Sequence, residues 1–196
     1  MAQRSFEELY GRTVTIDICN TCQGFWFDGT ELLRLSPGAT LELFRAIAGS
    51  GPAAAGQPGP HACPRCNAAL AASSDLQNTT RFFFERCPDG HGRYMTFFQF
   101  LRAKSFVRSL NDTEVRQLRD AVQQVNCSNC GAPLDIERSA SCAHCRTPVS
   151  IIDPKQLEAT VRRLSESDAK RKAGDPTLPV TLAMERLRTE RAFEAM

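Results

Sequence analysis

The chain has 196 residues with nine Cys, three His and a formal charge of +2. That length allows one ordinary domain or several small ones, and a charge so near zero names no partner. No run approaches the roughly 18 apolar residues of a membrane span. The opening MAQRSFEELYGR has no apolar stretch of the secretory kind, which points to a cytoplasmic protein. There thiols stay reduced, and paired cysteines bind metal more often than they form disulfides. A four-thiolate zinc site carries −2 and a three-thiolate, one-histidine site −1. One of each takes the chain to about −1, so charge gives no support for nucleic-acid binding.

Residues 12–18, RTVTIDI, alternate apolar with polar and read as a strand leading into Cys19 and Cys22. Asp28 with Glu31 makes a capping pair for a short helix through Leu35, which Pro37 and Gly38 break. Residues 39–48 resume as a helix. GSGPAAAGQPGP, 49–60, has the composition of a flexible linker. TTRFFFERC reads as a strand into Cys87. From 92 to 110, Tyr94, Phe97, Phe98 and Leu101 fall at helical spacing. Asn111 with Glu114 caps a further helix ending near Gln124, with Val115, Leu118, Val122 and Val125 as its apolar stripe. Asp153 and Pro154 open a C-terminal helix with Leu157, Val161 and Leu164 on one face. Another helical stretch covers 179–195. These last helices need an apolar surface to cover, either this chain's or another's.

Three cysteine constellations carry the chemistry. Cys127 and Cys130, then eleven residues, then Cys142 and Cys145 form paired C-x-x-C turns. The two-residue gap aims both sulfurs of a turn at one ion, which suits tetrahedral zinc. His144 lies between two ligands and reads as exposed rather than liganding. Cys63 and Cys66, then twenty residues, then Cys87 and His91 form a three-Cys, one-His set. His61, at the linker edge, reads as a bystander. The third is the pair Cys19 and Cys22 alone.

The pair has an internal parallel. RTVTIDICNTCQGFW and TTRFFFERCPDGHGRY share a strand, a Cys, a short turn, a second ligand, a Gly and an aromatic. Cys19 matches Cys87, and Cys22 matches His91. On that alignment the counterparts of Cys63 and Cys66 fall ahead of Met1.

ICNTCQGFWFDGTEL resembles the second half of the bacterial transcription factor IIB-type zinc-finger domain. That pattern is C-P-x-C with a following Leu, a variable stretch, a strand, then C-x-x-C-x-G-x-W-x-D-x-x-E-L. Cys19, Cys22, Gly24, Trp26, Asp28, Glu31 and Leu32 match it, within residues 10–35. Cys63, Pro64, Cys66 and Leu70 match the first half, and His91 replaces the last Cys, as in a diverged copy. Residues 127–145 resemble a generic zinc ribbon. The resemblance implies zinc-ribbon folds, zinc ligation by Cys19 and Cys22, and a link to transcription or nucleic acid.

The expected architecture is α+β: small zinc-ribbon modules joined by amphipathic helices. A partial ribbon with helices spans 1–48, the linker 49–60 and a second ribbon with helices 61–125. A four-Cys ribbon spans 126–152 and helices 153–196. Trp26 reads as a core plug and Asp28 as a helix cap. The expected function is non-catalytic zinc binding that scaffolds macromolecular interaction with protein or nucleic acid, in the transcription-related setting that the resemblance implies. For nucleic acid the candidates are Arg81, Phe83, Arg86 and Arg93. Phe82 and Phe84 face together and Phe83 faces away, which makes Phe83 the exposed stacking ring. The plainer reading makes these aromatics core and the arginines a solvated rim. The alternative function is a zinc-dependent or thiol-based enzyme using Cys19 and Cys22, the one under-coordinated pair, although no H-E-x-x-H or comparable base accompanies it. Two chains sharing one zinc through that pair would make a homodimer. The simpler reading is an orphaned pair whose partner turn lies upstream.

Overall fold

A computed structural model describes residues 1–49, 62–77, 80–121, 125–136 and 138–174. His61, Val122, Gln124, most of the linker and the helical stretch expected at 179–195 lie outside the described residues.

Three strands come from the N-terminal segment: β1 (Ala2–Glu7), β2 (Thr13–Cys19) and β3 (Gly24–Asp28). Val14, Ile16 and Ile18 on β2 are buried and alternate with outward polar residues, as a half-buried strand requires. A single turn of helix, α1 (Glu31–Arg34), follows, then α2 (Pro37–Ala48). Pro37 does not simply break the chain. It occupies the first turn of α2, where its missing N–H is harmless, and the Ser36 side chain caps the Ala39 N–H at 3.1 Å.

Beyond the linker come β4 (Ala71–Gln77), β5 (Thr80–Arg86), β6 (Gly92–Thr96) and α3 (Phe97–Ala103). The helix expected across residues 92–110 is therefore split. Residues 92–96 are a strand, and the Thr96–Gln99 capping box starts the helix at Phe97. Helical spacing of the aromatics ran across this junction and concealed it.

The six strands form one antiparallel sheet in the order β1-β2-β3-β6-β5-β4. Segments 1–48 and 61–125, which a linker separates in sequence, thus share one sheet and one core. The join is β3 against β6, with Gly24 opposite Thr96, Trp26 opposite Tyr94 and Asp28 opposite Gly92. Under the internal alignment Trp26 is the counterpart of Tyr94, Gly24 of Gly92 and Asp28 of Thr96. The register is that of a local two-fold passing between Trp26 and Tyr94. Two related ribbons meet back to back, each with its first strand at an outer edge.

One face of the sheet carries the main core. Ile16, Phe25, Phe27, Phe82, Phe84 and Met95 pack there with Leu43 of α2 and Phe100 of α3. Strand alternation sends Trp26 and Tyr94 to the opposite face.

The third module is tied to this frame by a two-residue strand pair, β7 (Arg108–Ser109) with β10 (Ser150–Ile151). Between them lie α4 (Asp112–Ala121), β8 (Val125–Asn126) and β9 (Pro133–Leu134). Val125, expected on the helix, pairs with Leu134 as a strand residue and still packs on the module's core with Val115 and Leu118. The Asn111–Glu114 cap forms in both directions at 2.9 Å. Arg108 clamps Glu114 and Asp153, and buried Arg102 donates to the Ser150 hydroxyl and to the Arg81 carbonyl. Finally α5 (Pro154–Ala173), capped by Asp153, lays Leu157, Val161 and Leu164 on the main core, so this chain supplies the surface that helix needs.

Candidate metal centres

Three of the four C-x-x-C turns are built locally in one way. The chain folds back so that the amide after the turn reaches the first cysteine's carbonyl: Asn67 to Cys63, Gly131 to Cys127 and Arg146 to Cys142, all at 2.8 Å. The residue after the second cysteine takes a left-handed conformation, with φ of 58° at Asn67, 72° at Gly131 and 60° at Arg146. Glycine and asparagine adopt it readily. Gly90, at φ 78°, performs the same reversal before His91.

Two complete ligand groups result. Cys63, Cys66, Cys87 and His91 form one; Cys127, Cys130, Cys142 and Cys145 form the other, and within each group the ligand atoms lie within 4.8 Å of one another. Individual separations are 3.5 Å for Cys66–Cys87 and for Cys87–His91 Nδ1, and 3.8 Å for Cys63–His91 Nδ1. In the third module Cys127–Cys145 is 3.6 Å and Cys130–Cys142 is 3.7 Å. A Zn–S bond of about 2.3 Å gives a tetrahedral edge of roughly 3.8 Å, so the residues present fit zinc.

In each group one sulfur is favoured as thiolate while thiol neighbours are pushed up, Cys66 to about 12 and Cys130 to about 11. Burial works against ionisation of Cys63. The N–H groups of Cys66 and Arg65 and the thiols of Cys66 and Cys87 nevertheless donate to its sulfur and bring it down to about 6. At the other centre the Cys127 thiol donates to Cys145, which holds Cys145 down to about 3 and pushes Cys127 up. His144 is exposed and stands outside the ligand group, as expected.

The family-signature residues lock this arrangement together. Trp26 is 2 % exposed and packs with Cys63 and Cys87, so a residue of the first ribbon covers the centre of the second. Its indole N–H donates to Asp28 at 2.7 Å. Asp28 in turn pairs with Arg65, inside the Cys63–Cys66 turn. Burial opposes the charge on Asp28, but Arg65 and Trp26 hold its carboxyl below the usual range. Asp28 thus does not cap the helix with its side chain, as the sequence suggested. Only the return half of that box forms, with the Asp28 N–H donating to Glu31 at 2.8 Å.

Residues 3–36 match the transcription factor zinc-finger family, the zinc ribbon of TFIIB type. The zinc-finger match covers β1 to α1 and stops at the cap of α2. It includes Cys19 and Cys22 and neither complete ligand group. No curated protein and no solved structure matches the chain. Within the zinc-finger segment, Cys19 and Cys22 are half-buried at the end of the β2–β3 hairpin. The Tyr94 hydroxyl donates to Cys22 Sγ at 3.5 Å, reaching across from the second ribbon as Trp26 reaches the other way. Among the described residues no third Cys, His, Asp or Glu joins the pair in a ligand group.

The four nucleic-acid candidates do not converge. Phe82 and Phe84 are buried and Phe83 is half-exposed, so the expected alternation holds. Arg81 lies with Phe83 on the outer face, and its guanidinium donates to Ser74 at 3.1 Å. Arg86 has the parity of Phe84, and Arg93 lies over the Phe84 ring at 4.8 Å, so both belong to the other face. Sequence reasoning missed what sits beside Phe83. A cleft of about 540 Å³ runs between the outer face and the third module, lined by Phe83, Tyr94, Asn129, His144 and Arg146 among others. Thr96 donates to Asn129 at 2.7 Å and holds its two walls together. No local signal carried this, because the walls lie more than thirty residues apart in sequence. No helix among the described residues is long and apolar enough to cross a membrane.

Proposed function

We propose that this is a non-catalytic zinc protein whose ribbons scaffold an interaction with a macromolecule, in a transcription-related setting. The observation that carries this reading is closure. Each complete group supplies four protein ligands, which leaves zinc no position for a water or substrate. Zinc then acts on folding: the third module's own buried cluster is small, and metal supplies what so small a core lacks. Trp26, Asp28 and Arg65 have structural partners that account for them.

The cleft beside the third module is the surface we assign to the partner. Phe83 offers a half-exposed ring, Arg146 on the cleft wall and Arg81 on the same face of β5 offer cations, and His144 lines the same wall. Single-stranded nucleic acid suits that combination, because stacking on a ring contributes about 1–3 kcal/mol per base. The test is fluorescence anisotropy with labelled single-stranded DNA and RNA over a salt series. Phe83→Ala should weaken binding by roughly 5- to 150-fold. Arg146→Ala should lower the salt slope by about one, while Arg86→Ala, on the opposite face, should change neither. Equal effects at Arg86 and Arg146 would sink the cleft. Absence of any binding would leave a protein as the partner.

A further inference from the structure

We infer that the cleft beside the third module reads a guanine base, with the Glu85 carboxylate as the group that selects it. The inference rests on single-stranded nucleic acid as the occupant of that cleft, and it names the base that the cleft prefers.

Among the described residues that line the cleft, Glu85 is the one acid. A carboxylate is out of place against phosphates, because each of them carries a negative charge that repels it. It fits if it meets base N–H groups instead, and its place on the sheet supports that role. Phe83 and Glu85 are both half-buried and stand two residues apart on β5. Their side chains therefore share the outer face, about 7 Å apart along the strand. A base stacked on the Phe83 ring brings its edge toward Glu85. Tyr94 faces Glu85 across the β5–β6 pair and lines the same cleft. The other polar groups narrow the choice. The Gln99 carbonyl oxygen accepts the Thr96 N–H at 2.9 Å, so the amide presents its NH2 group away from Thr96. The Asn129 carbonyl oxygen accepts the Thr96 hydroxyl at 2.7 Å, and its side chain also hydrogen-bonds the Cys145 sulfur. The Ser74 hydroxyl accepts from Arg81 at 3.1 Å. Gln99 and Arg146 thus bring donors to the cleft, and Glu85 brings the strong acceptor.

Guanine is the base that matches. In a single strand its pairing edge is open to a protein. That edge presents two adjacent donors, N1–H and the N2 amine, and a carboxylate takes one on each oxygen. The O6 acceptor beside them suits an amide N–H such as that of Gln99. Adenine and cytosine each set a ring-nitrogen acceptor next to their one amino group, so the second carboxylate oxygen would face a lone pair. Thymine and uracil flank their one N–H with two carbonyls. A carboxylate has about four acceptor positions, so Glu85 can hold a base and keep the interactions it already makes.

The experiment is fluorescence anisotropy of the zinc-loaded full chain with labelled oligo-dT strands carrying one central dG, dA, dC or inosine. The dG strand should bind roughly 5- to 150-fold more tightly than the dA, dC and all-dT strands. Inosine lacks only the N2 amine and should fall between, a comparison that needs no variant. Glu85→Gln should bring the dG strand down to the level of the others. Asp75→Asn removes a carboxylate that stands opposite Phe82, on the other face of the sheet, and should keep the preference. Equal binding of all strands overturns the inference. If Phe83→Ala still weakens them, the cleft remains the nucleic-acid surface and only the choice of base is lost. Inosine bound as tightly as dG overturns it as well, and so does a dG preference that survives Glu85→Gln. Absence of binding by every strand ends both readings.

Discussion

Trp26 lies in the first ribbon, is no ligand, and should nonetheless control zinc affinity in the second. Its side chain is 2 % exposed and packs with Cys63, Cys87 and Tyr94. Truncating a buried aromatic to alanine removes about 3–5 kcal/mol of packing. At a small metal centre, binding free energy and folding free energy are shared, so the loss appears as weaker zinc. At 1.4 kcal/mol per tenfold, Trp26→Ala should weaken the Cys63–His91 centre by roughly 100- to 3,000-fold. Trp26→Phe keeps most of the ring and loses the hydrogen bond to Asp28, for about 1 kcal/mol beyond the change in volume. Cobalt(II) substitution separates the centres, because three-sulfur and four-sulfur sites have distinct visible spectra. Competition with a chelator then gives each affinity. An unchanged Cys63–His91 affinity in Trp26→Ala would refute the reasoning, and so would equal weakening of both centres.

Three further outcomes follow from the same geometry. A Cβ on Gly92 would stand 2.4 Å from the Phe27 carbonyl oxygen and 2.9 Å from the Trp26 ring. Gly92→Ala should therefore lose about 1–3 kcal/mol in denaturant unfolding of the zinc-loaded protein, whereas Gly49→Ala, with no neighbour closer than 3.5 Å, should be close to neutral. His91→Ala should lower zinc content by about one ion per chain and shift the emission of Trp26, the chain's single tryptophan, to the red. Emptying the other centre with Cys142→Ser should leave that emission in place. Burial pushes Lys104 down to about 8 from an ordinary 10.5. The unfolded chain then binds more protons between those values, so stability should rise as pH climbs from about 8 to 10.5. Lys104→Met should be more stable than wild type at pH 7 and should flatten that rise in thermal unfolding.

The metal groups were legible in the sequence because a C-x-x-C turn is local: its spacing, its Gly or Asn and its ligands fall within a few residues. So were the Asn111–Glu114 and Asp153 caps, and the outward turn of Phe83, which follows from strand alternation. The edge strands were not. Along β4, Ala, Ser, Asp and Gln are almost all exposed, so no apolar alternation marks the strand, and its pairing with β5 alone holds it. The N-terminal strand β1 buries only Phe6. The β3–β6 join was illegible for a different reason. It brings together residues some seventy positions apart, and nothing local to either strand announces the other. Its consequence is that the internal repeat, visible as two similar stretches, is also the architecture: each ribbon's central aromatic reaches the other's cysteines, Trp26 at Cys63 and Cys87 and Tyr94 at Cys22. The role of the family signature changes accordingly. Trp26, Asp28 and Glu31 are spaced as though they served their own ribbon, yet Trp26 and Asp28 hold the neighbour's centre.

The central claim is closure of two four-ligand zinc centres in one frame. Zinc-edge X-ray absorption on the Cys19→Ser/Cys22→Ser chain tests it most directly. The account predicts an average of about 3.5 sulfurs near 2.3 Å and about half an imidazole nitrogen per zinc, with no water in the shell. An average near two sulfurs with water or other light ligands filling the remainder would mean open centres, and would contradict it.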